Sequence, residues 1–177
     1  KESSAASDVY KRQSDDDAFL ALRDASRRGD AARAADIASK LGNYAISSYV
    51  DYYQLKPRIK DASPTEILAY LNRYSGSAIA DRLRNDWLLE VGKRRDWVTF
   101  DEQYPQFQLD DDTQLKCYAL MSKAQKGMNV AVDARALLTV PKNYGEGCVA
   151  LIGMLMENSQ FNEDDLWAQI RLSLIHI

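Results

Sequence analysis

Apolar residues recur along the chain at the spacing of one helix face, and short polar turns interrupt them at regular intervals. One such face, typical of the rest, is formed by Ile79, Leu83, Trp87 and Leu88. The polar run 93–96 breaks this pattern, and a second, shorter helix then begins at Trp97 and is terminated by Pro105. The pattern therefore predicts short helices that are joined by short turns.

The same pattern predicts ten helices over the whole chain. Their expected bounds are 15–28, 31–40, 46–59, 64–74, 78–93, 97–103, 113–126, 130–140 and 147–158, with a last helix from about residue 162. Asp30 and Ser63 are good helix caps, and Pro57 should kink or shorten the third helix. The ninth helix is apolar nearly all round, which predicts that it is buried.

Pairs of these helices repeat about every 30 to 37 residues, which is the size of a helical-hairpin repeat. Residues with branched β-carbons are sparse and scattered, so nothing in the pattern indicates strands. The predicted fold class is therefore all-α: an α-superhelix, or solenoid, of about ten short antiparallel helices in hairpin pairs.

The two ends of the chain indicate a different origin. Residues 8–13 read DVYKRQ and residues 172–177 read LSLIHI, which are the translations of one DNA string and its reverse complement. That string matches the mosaic end of a transposase sequencing adapter, and residues 3–7 continue the adapter. We expect residues 1–13 to be adapter-derived and disordered, residues 172–177 to be adapter-derived, and residues 14–171 to be a helical superhelix fragment. Any signal peptide would then lie upstream of this stretch.

Composition narrows the classes of function. The chain has 23 Lys and Arg against 26 Asp and Glu, a formal net charge of -3, which disfavours sequence-independent nucleic-acid binding. No apolar run approaches the ~18 residues that would span a bilayer. The single histidine, His176, lies in the adapter-derived end, so the remainder has no base for a Ser-His-Asp or Cys-His site. A glycine-rich phosphate loop is also missing, and we expect no cofactor and no metal.

Three acidic clusters, at 15–17, 110–112 and 163–165, are the candidates for paired catalytic carboxylates. Each stands at a predicted helix start, where capping and the helix dipole explain it, so we favour the structural interpretation. Cys117 and Cys148 are too few for a four-ligand metal site, and two buried thiols or one disulfide both remain open.

The basic turn 93–95 could contact an anionic polymer, although cations also stabilise a helix C-terminus and stack on aromatic rings. The tryptophans Trp87, Trp97 and Trp167 could be sugar-stacking platforms. Their helical spacing favours core positions between hairpins instead.

An ordered set of motifs extends over residues 44–166. It consists of the tyrosine-rich segment 44–52, the segment 67–74, the run 80–84, Trp87-Leu88, the turn 94–97, the segment 117–120 and Cys148. This set resembles the N-terminal helical superhelix (U-domain) of soluble lytic murein transglycosylases, which are periplasmic enzymes that act on peptidoglycan. The resemblance implies a scaffold fragment of such an enzyme, whose parent cleaves the MurNAc–GlcNAc bond to 1,6-anhydromuramoyl products without metal or cofactor.

The resemblance carries over no catalytic residue. In that family one glutamate, in a Glu-Ser pair followed by a Gly-Leu-Met-Gln element, belongs to a separate lysozyme-like domain. Here the only Glu-Ser pair is Glu2-Ser3, in the adapter-derived end, so we expect the fragment alone to be inactive. The implied partner is the peptidoglycan glycan strand, bound by the full-length parent, and we expect a monomer.

The resemblance also implies roles for the two cysteines and for residues of the basic turn. Family members carry two cysteines at similar places and work in the oxidising periplasm, which implies a Cys117–Cys148 disulfide. Arg94, Arg95 and Trp97 become candidate contacts with glycan or with another domain. The alternative is a non-enzymatic helical-repeat module for protein interaction, which has the same fold and composition.

Overall fold

The computed structural model describes residues 2–139 and 145–175, and within these ranges the chain has ten α-helices, two short 3₁₀ helices and no β-strand. The helices are α1 (Glu2–Arg27), α2 (Ala31–Lys40), α3 (Ser47–Leu55), α4 (Pro64–Arg73), α5 (Ala78–Lys93), α6 (Trp97–Gln103), α7 (Thr113–Gln125), α8 (Ala131–Leu137), α9 (Gly145–Glu157) and α10 (Glu163–Ile175). The predicted all-α class is confirmed, and every helix from α2 onward begins within two residues of its expected start. None of these helices is long and apolar enough to cross a bilayer.

Side-chain caps fix several of the helix starts. The Asp30 carboxylate accepts a hydrogen bond from the backbone N–H of Arg33 at 3.0 Å, and Ser63 Oγ accepts from the N–H of Glu66 at 3.2 Å. These bonds satisfy donors that have no partner inside the helix. Pro57 lies in the 3₁₀ turn Lys56–Arg58 that follows α3, so it shortens the predicted third helix as expected.

The first helix differs from the prediction. Helix α1 begins at Glu2 rather than near Asp15, so the run 15–17 lies inside the helix and does not cap its start. Asp16 instead accepts a hydrogen bond from the hydroxyl of Tyr44 at 2.7 Å. Helix α1 includes residues 2–13, whose adapter origin stays a prediction.

The chain divides into two compact units, and the first comprises Lys1–Trp87. Helices α1, α2 and α3 pack around a common core, whose buried members are Leu22, Ala25, Ala34, Ile37, Ala38, Leu41 and Val50. Phe19 stacks on Tyr44 at the edge of this core, with ring centroids 5.0 Å apart. Tyr52 joins α3 to α5, since its hydroxyl donates to Asp86 at 2.8 Å.

The second unit comprises Leu88–Ile177 and is centred on the packing of α7 against α9. Its fully buried large side chains include Phe100, Leu115, Met121, Leu138, Leu151 and Leu155. The ring of Tyr118 lies against two glycines, Gly92 and Gly147, at positions where a Cβ atom would be 2.5 Å and 3.0 Å from ring carbons. The glycines therefore permit close packing of a large aromatic ring.

Two burial predictions for this unit are wrong. Helix α9 is buried on one face only, because it packs on α7 through Gly147, Cys148, Leu151 and Leu155, while Val149 is 65% exposed. Trp167, expected in the core, is 55% exposed on α10. Trp87 is buried as predicted, and Trp97 is half-buried.

Candidate functional site

The two cysteines are joined in the structure. Cys117 on α7 and Cys148 on α9 form a disulfide with a Cα–Cα distance of 5.0 Å, which is the pairing that the resemblance implied. Both residues are fully buried, so the bridge lies inside the core of the second unit. It joins α7 to α9, the two helices whose packing lies at the centre of that unit.

The basic turn is first of all a helix stop. Arg95 adopts a left-handed backbone conformation (φ 61°), its N–H donates to the carbonyl of Gly92 at 3.1 Å, and the N–H of Asp96 donates to the carbonyl of Val91 at 3.2 Å. This pair of bonds is the Schellman motif, in which glycine usually occupies the left-handed position. Arg95 therefore adopts a left-handed backbone conformation that is energetically unfavourable for a residue with a Cβ atom.

The side chains of this turn contact their neighbours. The guanidinium of Arg95 lies 5.9 Å from the ring centroid of Trp97, and Trp97 meets Phe100 edge to face at 6.0 Å. Lys93 pairs with Glu146 at 3.0 Å, and that hydrogen bond raises the pKa of Lys93. Arg94 and Arg95 are both exposed, so the turn presents cations close to the half-buried indole of Trp97.

The remaining acidic clusters have structural partners. Asp112 accepts hydrogen bonds from the N–H groups of Gln114 and Leu115 and so caps α7, as predicted. Asp165 accepts two bonds from Arg135, at 2.6 and 2.7 Å, and these lower the pKa of Asp165 to about 2. In the ranges that the structure describes, no group of three or more His, Cys, Asp or Glu could hold a metal ion.

A groove of about 400 Å³ lies along α7 in the second unit; we call it the α7 groove. Its apolar lining consists of Tyr104, Pro105, Ala119, Leu120 and Leu137, and its charged lining of Asp101, Lys116, Lys123 and Asp133. Helix α7 contributes residues at the i, i+3, i+4 and i+7 positions of one stripe, while α6 with the 3₁₀ turn Tyr104–Gln106 and α8 contribute the walls.

The charges in the α7 groove fall into two sets. Asp101 accepts from Ser122 and Lys126, at 2.8 and 2.6 Å, and Lys116 pairs with Asp110 at 3.2 Å. Lys123 and Asp133 are exposed. Burial and the nearby carboxylate of Asp110 raise the pKa of Tyr104, so its hydroxyl remains protonated at neutral pH.

A second groove, of about 260 Å³, lies in the first unit and has a different character. Arg58 pairs with Glu66 there through both carboxylate oxygens. Asp51 accepts from Tyr74 at 2.6 Å and pairs with Arg73 at 3.4 Å. Its charged side chains thus satisfy one another, and the α7 groove is the better candidate for a ligand.

The sequence prediction missed the α7 groove. From the sequence, Tyr104 and Pro105 are expected only at the end of a helix. The expected face of helix seven consists of Leu115, Tyr118, Ala119 and Met121, without Lys116 or Lys123. The usable signal was the stripe itself, because Lys116 and Lys123 border Ala119 and Leu120 at helical spacing.

Comparison with known proteins supports the fold that these elements define. Neither a protein-family model nor a curated protein matches the sequence. Among solved structures, the chain is similar to an inactive mutant of the lytic transglycosylase Slt from Pseudomonas aeruginosa, with a TM-score of 0.64 and 24% sequence identity. The match covers 88% of this chain and 25% of that one, so this chain spans about a quarter of the length of its neighbour. At 24% sequence identity, this structural similarity establishes the fold alone.

Proposed function

We propose that this chain is part of the helical scaffold of a periplasmic soluble lytic murein transglycosylase. The parent enzyme would cleave the MurNAc–GlcNAc bond of peptidoglycan to 1,6-anhydromuramoyl products, with its catalytic glutamate in a separate domain. The scaffold would shape the ring on which glycan strands lie or through which they pass. On its own this chain would be an inactive monomer.

One observation carries the proposal: the fold matches that of the lytic transglycosylase Slt over 88% of the chain. The ordered motifs over residues 44–166 point to the same family independently. The buried Cys117–Cys148 disulfide supports an oxidising compartment such as the periplasm, which the parent would reach by a signal peptide encoded upstream of Ser14. The structural partners of Asp112 and Asp165 support a scaffold rather than a catalytic role.

The basic turn belongs to the same proposal. Arg94, Arg95 and Trp97 would contact the glycan strand or the catalytic domain. The left-handed conformation of Arg95 favours this, because glycine would occupy that position at lower conformational cost.

The test begins with the source DNA, read through both ends of the present sequence. We expect a downstream domain with a Glu-Ser pair and a Gly-Leu-Met-Gln element, and an upstream cleavable signal. The complete gene product should release 1,6-anhydromuramoyl fragments from purified peptidoglycan, detected by mass spectrometry, whereas the 177-residue chain should release none. A reading frame that closes soon after Arg171 would overturn the proposal in favour of a non-enzymatic interaction module.

A further inference from the structure

We propose that the α7 groove is a saccharide-binding site, which accommodates about two N-acetylated pyranose rings of a glycan strand. The inference deepens the proposed function, because it names a place on the scaffold where the strand is held. The site would bind the strand without any chemical step.

The apolar part of the groove suits a sugar ring. Tyr104 stacks on the fully buried Phe100, with ring centroids 5.2 Å apart and planes at 17°, so its ring is held in a fixed orientation. Pro105 follows it in the same lining. A pyranose has a face made of C–H groups, and that face packs well on a rigid aromatic ring or on a proline.

The polar part of the groove distinguishes a sugar from other ligands. Lys123 can only donate hydrogen bonds and Asp133 can only accept them, and both flank the apolar stripe. Sugar hydroxyl and acetamido groups do both, so one ligand can satisfy both side chains. An apolar helix would bury these charges without partners, at a high desolvation cost. A simple anion would meet Asp133 and the carboxylate of Asp101.

The dimensions agree with a short oligosaccharide. Lys116 and Lys123 are two helical turns apart on the α7 stripe, a span of about 10 Å, which is the length of a disaccharide. The cavity of about 400 Å³ lies within the range of ordinary ligand pockets.

The experiment is a titration of the ¹⁵N-labelled 177-residue chain with the β-1,4-linked dimer and tetramer of N-acetylglucosamine. Binding is measured from the changes in the amide chemical shifts. We expect saturable shifts confined to the residues of the α7 groove, with tighter binding of the tetramer. Tyr104→Ala should weaken binding by about tenfold or more, and Lys123→Met and Asp133→Asn by about fivefold each. The last two replace exposed side chains and keep the test valid if Tyr104→Ala fails to fold.

Matched controls lie in the first unit. Tyr49→Ala removes an exposed tyrosine and Lys40→Met an exposed lysine outside the groove, and both should bind like the original chain. The inference would be overturned by an absence of saturable shifts, by shifts located elsewhere, or by Lys123→Met and Asp133→Asn variants that both bind as tightly as the original chain. The inference and the proposed function can fail separately. If the complete gene product releases anhydro-sugars but the groove binds no oligosaccharide, only the inference fails. If the groove binds oligosaccharide but the complete product releases no anhydro-sugars, only the proposed function fails.

Discussion

At the scale of single residues, the packing of Tyr118 in the second unit is tightly constrained. The ring is 3% exposed and lies against Gly92, where an added Cβ would be 2.5 Å from its Cδ2 atom. We expect Gly92→Ala to destabilise the chain by roughly 1–2 kcal/mol, because overpacking outweighs the gain in helix propensity of about 1 kcal/mol. The measurement is urea unfolding followed by circular dichroism.

Gly153 provides the matched control for this substitution. It also lies inside a helix, but nothing is within 4 Å of the position that its Cβ would take. Gly153→Ala should therefore stabilise the chain by up to about 1 kcal/mol. If both alanine variants shift the unfolding midpoint in the same direction, the close packing of Tyr118 is not what limits position 92.

The Arg135–Asp165 ion pair predicts how the stability of the folded state changes at acidic pH. Its hydrogen bonds hold the pKa of Asp165 near 2, below the 3.8 of a free carboxyl, so the pair stabilises the folded state above about pH 4. That contribution is lost as the pH falls towards 2, because the unfolded chain binds the proton more tightly. The difference in thermal midpoint between the original chain and Asp165→Asn should therefore shrink between pH 4 and pH 2.

Asp164→Asn controls for the loss of a charge near the start of α10, since Asp164 lies in the same first turn and is exposed. Its midpoint should stay close to that of the original chain at each pH. An Asp165→Asn variant that keeps a constant difference from pH 7 to pH 2 would show that the pair does not contribute in this way.

At the scale of helices, the N-terminal caps connect sequence to stability most directly. Ser63 accepts from the N–H of Glu66 at the start of α4, and Pro64 sets the first turn. We expect Ser63→Ala to cost about 1 kcal/mol in the free energy of unfolding, since one N–H loses its acceptor. Ser75→Ala, which removes an exposed hydroxyl beyond the end of the same helix, should cost almost nothing. Equal losses in the two variants would contradict the capping role.

The same scale shows what the sequence could and could not predict. Helix starts were predictable because caps such as Asp30 and Asp112 act within three residues of themselves. The exposure of Val149 and Trp167 was not, because an apolar residue carries no mark of which face meets a neighbouring helix. The α7 groove was missed for the related reason that three separate helices line it, and their juxtaposition is a tertiary property.

At the scale of the whole molecule, the chain divides into two compact units, and the disulfide lies in the second. Cys117 and Cys148 are 31 residues apart, and a loop of that size stabilises the folded state by roughly 3–4 kcal/mol in the chain-entropy account. Small domains have a total stability of about 5–15 kcal/mol, so the bridge is a large share of what holds the second unit.

Removal of the disulfide should therefore destabilise the second unit more than the first. In a Cys117→Ala, Cys148→Ala variant, amide hydrogen exchange in α7 and α9 should accelerate strongly, because the linked helices lose their covalent tie. Exchange in α1, α2 and α3, which share the core of the first unit, should change little. A thiol reductant should reproduce the effect on the original chain and add nothing to the double variant. Equal acceleration in both units would mean that they unfold as one cooperative body.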